Sequence, residues 1–239
     1  MGNTISFDTD STTDWIVTTK RYVGFLDIMG FKDMVARLPH DAIYEMMKKI
    51  DRQRKFAESI EWKGLPKNLV KTTTYSDSII IYSKDDNYES LDSLISSIAT
   101  LTHYLFLENI PHKGALAFGT MTLDTENSIF FGQPLIDAFL LQEEIQFYGV
   151  LIHATVEKEM NDRKFQTPLF IRNYLCKLKN GLAKHLTIYP IHARIVNEKY
   201  TDRSIKLFES ISRLRLNTSG HLRKYVDNTE AYLEEIKNT

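Results

Sequence analysis

Hydrophobic and polar residues along this chain follow two periods, and together they predict a mixture of strands and helices. Short apolar runs between turn residues are typical of strands, and apolar residues at every third or fourth position are typical of amphipathic helices. Strands are predicted at residues 22–29, 70–75, 79–82, 114–123, 128–131, 150–154, 169–175 and 186–189. Helices are predicted at residues 39 to about 60, 91–105, 134–145, 205–211 and 222–236.

The order of these elements predicts an α+β fold. The first eight run βαββαββα, which favours a ferredoxin-like βαββαβ domain with a mainly antiparallel sheet and helices on one face. Residues 1–20 are polar and rich in Ser, Thr and Asp, so we expect a flexible N-terminus there. Residues 21–195 would then form the main domain, and residues 196–239 a helical C-terminal extension.

Composition narrows the class of protein. The 239 residues are 43% hydrophobic, enough for a sizeable core. The net charge of −1 provides no basic field for nucleic acid or an anionic membrane. The most apolar stretch, 129–141, is broken by Gly132, Pro134 and Asp137, so no membrane span is predicted. A single cysteine, Cys176, and no recognisable secretory leader favour a cytoplasmic location.

Several common catalytic motifs are absent from the sequence. There is no Gly-rich phosphate loop, dinucleotide fingerprint or Gly-x-Ser-x-Gly elbow. The seven histidines lack the spacing of zinc ligands. The sequence therefore gives no indication of a P-loop nucleotidase, a dinucleotide-dependent enzyme, a serine hydrolase of this type or a zinc enzyme.

Two acidic residues occupy unusual positions. Asp27 interrupts the apolar strand 22–29, where an unpaired buried carboxylate is costly, and Asp77 occupies the tip of a predicted hairpin. If the two strands are neighbours, both carboxylates could bind the hard cations that prefer oxygen ligands. Alternatively, Asp27 could be hydrogen-bonded within its own turn, and Ser-Asp-Ser is an ordinary turn sequence.

The residues around both acids resemble class III nucleotidyl cyclases, most of all the pyrimidine cyclases of bacterial Pycsar anti-phage systems. The resemblance covers about residues 21–190. It is carried by Phe25-Leu26-Asp27-Ile28-Met29-Gly30-Phe31, by Tyr75-Ser76-Asp77-Ser78, by Lys113-Gly114-Ala115-Leu116 with Gly119, and by Gly132 with Ala138 and Leu141.

This resemblance implies an enzyme that converts a nucleoside triphosphate to a 3′,5′-cyclic nucleotide and pyrophosphate. Asp27, Asp77 and the backbone carbonyl of Ile28 would hold two Mg²⁺ or Mn²⁺ ions per active site, and the amides of Met29, Gly30 and Phe31 could cradle phosphate. It also implies a homodimer with composite sites, and a separate effector protein that binds the cyclic product.

The departures from the family concern the base and the transition state. Thr73 replaces the usual base-reading Lys of purine cyclases, and Ile129 replaces a base-reading Asp. Ile136 and Leu140 stand where the family carries an Asn and an Arg that assist the transition state. We therefore expect a pyrimidine substrate, UTP before CTP. A catalytically inactive nucleotide-binding or scaffold module and a purine (adenylate or guanylate) cyclase are the alternatives.

Further residues are candidates for nucleotide contacts. Lys113 stands where the subgroup has an Arg, and it can neutralise phosphate only as a point charge. Tyr75 and Tyr44 could stack on or hydrogen-bond a base. The other candidates for triphosphate charge are Lys32, Arg52, Arg54, Lys71, Lys179 and Lys184.

Overall fold

The computed structural model describes residues 15–59, 68–190 and 201–237. Eight strands are present in these ranges: β1 Thr18–Ile28, β2 Val70–Tyr75, β3 Ser78–Ser83, β4 His112–Asp124, β5 Ile129–Gly132, β6 Val150–Ile152, β7 Ile171–Leu178 and β8 Gly181–Ile188. The same ranges contain seven α-helices: α1 Phe31–Arg37, α2 His40–Glu58, α3 Tyr88–Leu107, α4 Gln133–Glu144, α5 Ala154–Asp162, α6 Thr201–Leu216 and α7 Arg223–Lys237.

One mainly antiparallel sheet organises the molecule. Its strands lie in the order β2-β3-β1-β4-β6-β8-β7, with β5 paired to β4. The central strand β1 is antiparallel to both neighbours, β3 and β4. The pair β4 and β6 is parallel, because α4 provides the crossover that parallel neighbours require. The predicted α+β class with a mainly antiparallel sheet and C-terminal helices is confirmed.

Helices cover both faces of the sheet, so the prediction of helices on one face is wrong. Successive residues of a strand point to opposite faces. Leu26 of β1 joins the core cluster that contains the apolar side of α3, whereas its neighbour Phe25 packs with Ala138 of α4. Residues 22–26 of β1 are uncharged and buried at both sets of alternating positions, so a second helical layer is needed.

Two helices were not predicted from the sequence. Helix α1 has seven residues, too few to show a helical period. Helix α5 has only two buried side chains, Val156 and Met160, and it includes Ala154, which was predicted as strand. Strand β1 also begins at Thr18, inside the segment expected to be flexible. The predicted ends at residues 60 and 195, and residues 1–14, lie outside the described residues.

The C-terminal helices pack into the domain. The hydroxyl of Thr229 in α7 accepts a hydrogen bond from the amide of Tyr148 at 2.7 Å. Tyr232 of the same helix is fully buried and packs at 4.8 Å between ring centroids on Tyr174 of β7. Helix α7 therefore supports the segment that joins α4 to β6. None of the helices within the described ranges is long and apolar enough to cross a lipid bilayer.

Candidate active site

The two predicted acids lie side by side at one end of the sheet. Asp27 is the last residue but one of β1, and Asp77 lies in the two-residue turn between β2 and β3. The amide of Ile28 donates a hydrogen bond to the carbonyl oxygen of Asp77 at 2.9 Å. In the β1–β3 register Asp27 faces Ser78. The hairpin turn is thus fastened to the end of β1.

Two glycines allow this arrangement. Gly30 adopts φ 76°, a left-handed conformation that favours glycine, and it turns the chain from β1 into α1. Gly114 lies where β4 comes very close to β1, and a Cβ there would stand 2.6 Å from the carbonyl oxygen of Phe25. In the antiparallel register of β1 and β4, Gly114 pairs with Leu26 and Lys113 lies directly opposite Asp27.

Burial and like charge both act on Asp27. Desolvation, followed by the negative charge of Asp77, raises the pKa of Asp27 to about 6, although Lys113 acts in the opposite direction. Two carboxylates held this close repel each other unless a cation lies between or near them. A cation bound at this site would therefore be stabilised by both carboxylates and would reduce the repulsion between them.

Lys113 and Glu143 form a second charged layer beside the acids. The Lys113 side chain is only 7% exposed, and its Nζ lies 3.7 Å from Oε1 of Glu143 in the last turn of α4. Burial lowers the pKa of Lys113, opposed by Glu143 and Asp27. The other oxygen of Glu143 lies 3.4 Å from Nζ of Lys179. The Glu143 carboxylate thus joins two lysines from different strands or turns.

The donor set fits a divalent cation only if backbone, water or substrate oxygens complete it. Among the described residues no cluster of three or more His, Cys, Asp or Glu side chains could hold a metal ion. Asp27 and Asp77 supply two hard carboxylate groups next to the exposed turn at Gly30. Ions such as Mg²⁺ are commonly bound by one or two carboxylates, with water and substrate phosphate as the other ligands.

The turn after β1 differs from the predicted phosphate cradle. The amide of Met29 donates a hydrogen bond to the carbonyl oxygen of Pro111 at 2.9 Å. Its N–H is therefore already used within the protein, and only Gly30 and Phe31 remain from the predicted set of amides. The engagement of Met29 depends on the loop before β4, which is distant in sequence, so the local pattern could not show it.

The other residues predicted to contact the nucleotide lie on several different elements. Thr73 and Tyr75 belong to the same hairpin as Asp77, and the Tyr75 side chain is 81% exposed. Lys179 reaches the Glu143 network. Lys32 lies on α1, directly after the turn at Gly30 that follows Asp27. Tyr44, Arg52 and Arg54 on α2 and Lys184 on β8 lie on elements away from the acid pair, and Lys71 lies near the start of β2, at the end of that strand far from the Asp77 turn.

Physical distance explains why some of these candidates do not converge. Helix α2 packs against α3 and β2 on the α3 side of the sheet, whereas Asp27 shares the α4 side with Phe25. Strand β8 lies three strand positions from β1, a separation of roughly 14 Å. Tyr44 instead lies beneath the ammonium of Lys48, 4.8 Å from the ring centroid.

Glu143 was not predicted as a site residue. A signal for it exists in the sequence, since Glu143 and Glu144 occupy the last turn of α4, which carries no basic residue. Acidic side chains are unfavourable at the negative end of the helix dipole, so they indicate that cations from elsewhere in the chain are near. The pattern does not reveal which cations these are.

Helix α4, whose last turn carries Glu143, also exposes an apolar stripe. Ile136, Phe139 and Leu140 are 52%, 44% and 58% exposed, and their spacing of three and four residues puts them on one side of the helix. We call these three residues the α4 stripe. The opposite side of α4 is buried against β1 and β4 through Ala138.

Two surface clefts lie elsewhere. One of about 230 Å³ lies between α2 and the loop before β4, and Met46, Lys49 and Pro111 contribute to its lining. The other, of about 370 Å³, is lined by residues that include Trp15 and Lys71. Neither cleft includes Asp27 or Asp77, so the acid pair lies outside both.

Comparison with known proteins identifies the fold. No protein-family model matches the chain, and no curated protein matches its sequence. A structure of a bacterial light-regulated adenylyl cyclase is 13% identical over 81% of this chain and 98% of that chain, with a TM-score of 0.50. A second such structure is 13% identical over 82% of this chain and 58% of that chain, also at 0.50. The catalytic core of a rhodopsin-guanylyl cyclase with converted specificity, in complex with ATPαS, is 12% identical over 72% of this chain and 95% of that chain, at 0.47.

The chain therefore has the α+β fold of class III nucleotidyl cyclase domains. This agrees with the fold that the resemblance implied from Asp27, Asp77 and their neighbours. At 12–13% identity the likeness shows the fold alone.

Replacing Asp27 with asparagine is expected to stabilise the metal-free protein at neutral pH. The pKa of the Asp27 carboxyl is 3.8 in the unfolded chain and about 6 in the folded protein. The free energy of unfolding therefore falls as the pH rises between these two values. The Asp27→Asn variant has no ionisable carboxyl at this position, so its free energy of unfolding does not fall in this way. After screening by solvent, its gain at pH 7 should be of order 1 kcal/mol.

Thermal unfolding in the presence of a chelator checks this expectation. The advantage of Asp27→Asn in midpoint at pH 7 should shrink towards zero at about pH 3, which lies below both pKa values, so that the carboxyl is mostly protonated in the folded and unfolded states. Added Mn²⁺ should raise the midpoint of the wild type more than that of the variant. A variant less stable than the wild type at pH 7 would contradict the pKa assigned to Asp27.

Proposed function

We propose that this protein is a nucleotidyl cyclase that converts a pyrimidine nucleoside triphosphate, UTP before CTP, to its 3′,5′-cyclic nucleotide. The observation that carries the proposal is the pair Asp27 and Asp77, held side by side with like charges at the end of β1. The shared fold with adenylyl cyclase structures supports it. The resemblance to Pycsar cyclases extends it to a signal in anti-phage defence that a separate effector protein reads.

In the reaction, the ribose 3′-oxygen attacks the α-phosphorus and the bond to the β-phosphate oxygen breaks, releasing pyrophosphate. Two Mg²⁺ or Mn²⁺ ions, when bound, would lower the pKa of the 3′-hydroxyl and neutralise charge on the phosphates. Asp27, Asp77 and the Ile28 carbonyl would hold them. The proton of the hydroxyl leaves to solvent.

The chain's own residues would orient the substrate. The amides of Gly30 and Phe31 lie at the turn that follows Asp27, where they can donate to a phosphate oxygen. Lys113 adds a buried positive charge next to Asp27. Ile136 and Leu140, which stand where the family carries the transition-state Asn and Arg, are exposed on α4 and supply no polar group to the phosphates, so a second subunit would complete the site.

A homodimer in which two copies pack through their α4 stripes would bring a second subunit to the site. The stripe is apolar and uncharged, so a twofold-related copy can match it without opposing charges. The stripe occupies the middle of α4, and Glu143 in its last turn lies beside Lys113, the residue opposite Asp27. A copy docked on the stripe would therefore also cover the acid pair and exclude water from it.

The choice of base rests on two positions without charge. Thr73 of β2 and Ile129 of β5 replace the charged pair that reads a purine edge in the family. Ile129 is 48% exposed and cannot hydrogen-bond a base through its side chain. A site that pairs a polar base edge rejects analogues that leave its groups unpaired, so a smaller base could be selected by Thr73 or Tyr75.

Competition among equimolar ATP, GTP, CTP and UTP with Mn²⁺ tests the function and the base together. We expect cUMP as the main product, with pyrophosphate released in equal amount. Chromatography of the cyclic products against standards is the measurement. A dominant cAMP or cGMP peak would favour a purine cyclase, and a dominant cCMP peak would correct only the choice between pyrimidines.

The same experiment, with nucleotide binding measured beside it, distinguishes an active cyclase from a catalytically inactive module. Nucleotide binding without any pyrophosphate release, in a preparation that is dimeric and folded, would favour the nucleotide-binding or scaffold alternative.

A further inference from the structure

Lys113 is placed between two sets of acids that compete for it. In the β1–β4 register it lies opposite Asp27, and its charge acts on that carboxylate. Its ion pair, however, is with Glu143 at 3.7 Å. The side chain is 7% exposed, so water can do little to neutralise the ammonium.

A lysine in this place is a competitor of any cation that Asp27 binds. An ammonium that turned to Asp27 would satisfy the carboxylate and repel a divalent ion from it. The repulsion is strong because the site is partly buried, where charges are less screened than in water. Metal binding at Asp27 therefore requires that Lys113 have another acidic partner.

Glu143 is held in the position that such a partner needs. Its Oε1 accepts a hydrogen bond from Nε2 of the buried Gln142 at 3.0 Å, and its Oε2 lies 3.4 Å from Nζ of Lys179. The amide of Lys179 in turn donates to the carbonyl oxygen of Glu144 at 2.8 Å. These contacts come from α4 and from the β7–β8 turn, so they restrain the carboxylate from two sides.

We infer that Glu143 is a positioning residue that holds the Lys113 ammonium away from Asp27 and so keeps Asp27 available to divalent cations. The inference rests on the proposed function, because it concerns the metal ions of that same site. Glu143 does not touch the ions or the nucleotide in this role. It acts through Lys113 alone.

The test is direct binding of Mn²⁺ to the full chain by titration calorimetry, without nucleotide. Glu143→Gln should raise the dissociation constant for Mn²⁺ about fivefold or more, the size of coupling seen between charges in contact. Glu144→Gln is the matched control. It removes the same charge from the next residue of α4, whose carboxylate contacts Asn180 at 3.3 Å and makes no contact with Lys113, and its dissociation constant should stay within about twofold of the wild type.

A double-mutant cycle separates positioning from simple loss of negative charge. In a Lys113→Met background, or in Lys113→Gln if the first variant unfolds, Glu143→Gln should change the dissociation constant by less than about twofold. In turnover assays, Glu143→Gln should need more Mn²⁺ for half-maximal rate yet approach the wild-type kcat at saturating Mn²⁺.

Two results would overturn the inference and leave the cyclase proposal intact. One is equal Mn²⁺ affinity of Glu143→Gln and Glu144→Gln, and the other is a full Glu143→Gln effect in the absence of Lys113. By contrast, Mn²⁺ binding that is absent in the wild type, or unchanged by Asp27→Asn, would overturn the metal site itself and this inference with it.

Discussion

Asp27→Asn and Asp77→Asn are each expected to abolish formation of the cyclic nucleotide while the protein stays folded. Each change removes one negative carboxylate from a pair that is proposed to hold the metal ions. Stabilisation by such ions is worth several kcal/mol, so turnover should fall about a thousandfold or more. Quantification of cyclic product and pyrophosphate at saturating Mn²⁺ and nucleotide is the measurement.

The control for this prediction is Asp162→Asn on α5. The Asp162 side chain is 56% exposed and forms an ion pair with Lys158 of the same helix, so the variant should keep near-wild-type turnover. Thermal unfolding in chelator shows whether each variant folds, and Asp27→Asn should be at least as stable as the wild type at pH 7. Near-normal turnover by a folded Asp27→Asn or Asp77→Asn variant would refute the assignment of the active site.

Leu140→Glu is expected to break the proposed homodimer and to remove activity at low protein concentration. In a twofold interface each substitution occurs in both copies, so two carboxylates would enter one apolar surface. Like charges or unpaired charges in such a contact cost several kcal/mol, which corresponds to a loss of dimer affinity of about a thousandfold. Light scattering after size exclusion and turnover over a dilution series measure the effect.

Leu182→Glu on β8 is the matched control for this second prediction. Leu182 is 62% exposed, close to the exposure of Leu140, and it lies in a strand three positions from β1 in the sheet. This variant should remain dimeric and active. The wild type itself should lose specific activity on dilution, and a fully active wild-type monomer would refute the composite site.

Local patterns were sufficient for most of the strands and for the position of the two acids. Residues 70–75 and 78–83 are β-rich and flank a two-residue turn, so the hairpin and its Asp77 could be predicted without any distant contact. Asp27 stood out because the residues around it are apolar. The long helices α2, α3 and α4 could be predicted because their apolar residues repeat at a helical period over several turns.

Elements with weak or short periods were missed. Helix α1 offers barely two turns, and α5 buries only two side chains. The covering of the second sheet face by α4 was also missed. A helix pattern shows which of its sides is apolar, but it does not show which face of a sheet will receive it.

The sequence by itself therefore determined the α+β class, the acidic strand end and the acidic hairpin, because each depends on residues within one short window. Three contacts were decided only by the tertiary structure. Lys113 lies opposite Asp27 in the sheet, the Lys113 ammonium pairs with Glu143, and the carbonyl oxygen of Pro111 accepts a hydrogen bond from the amide of Met29. These contacts join residues that are far apart in the chain. They depend on strand order and on the packing of α4, which are set by cooperative burial across the whole sheet rather than by any local pattern.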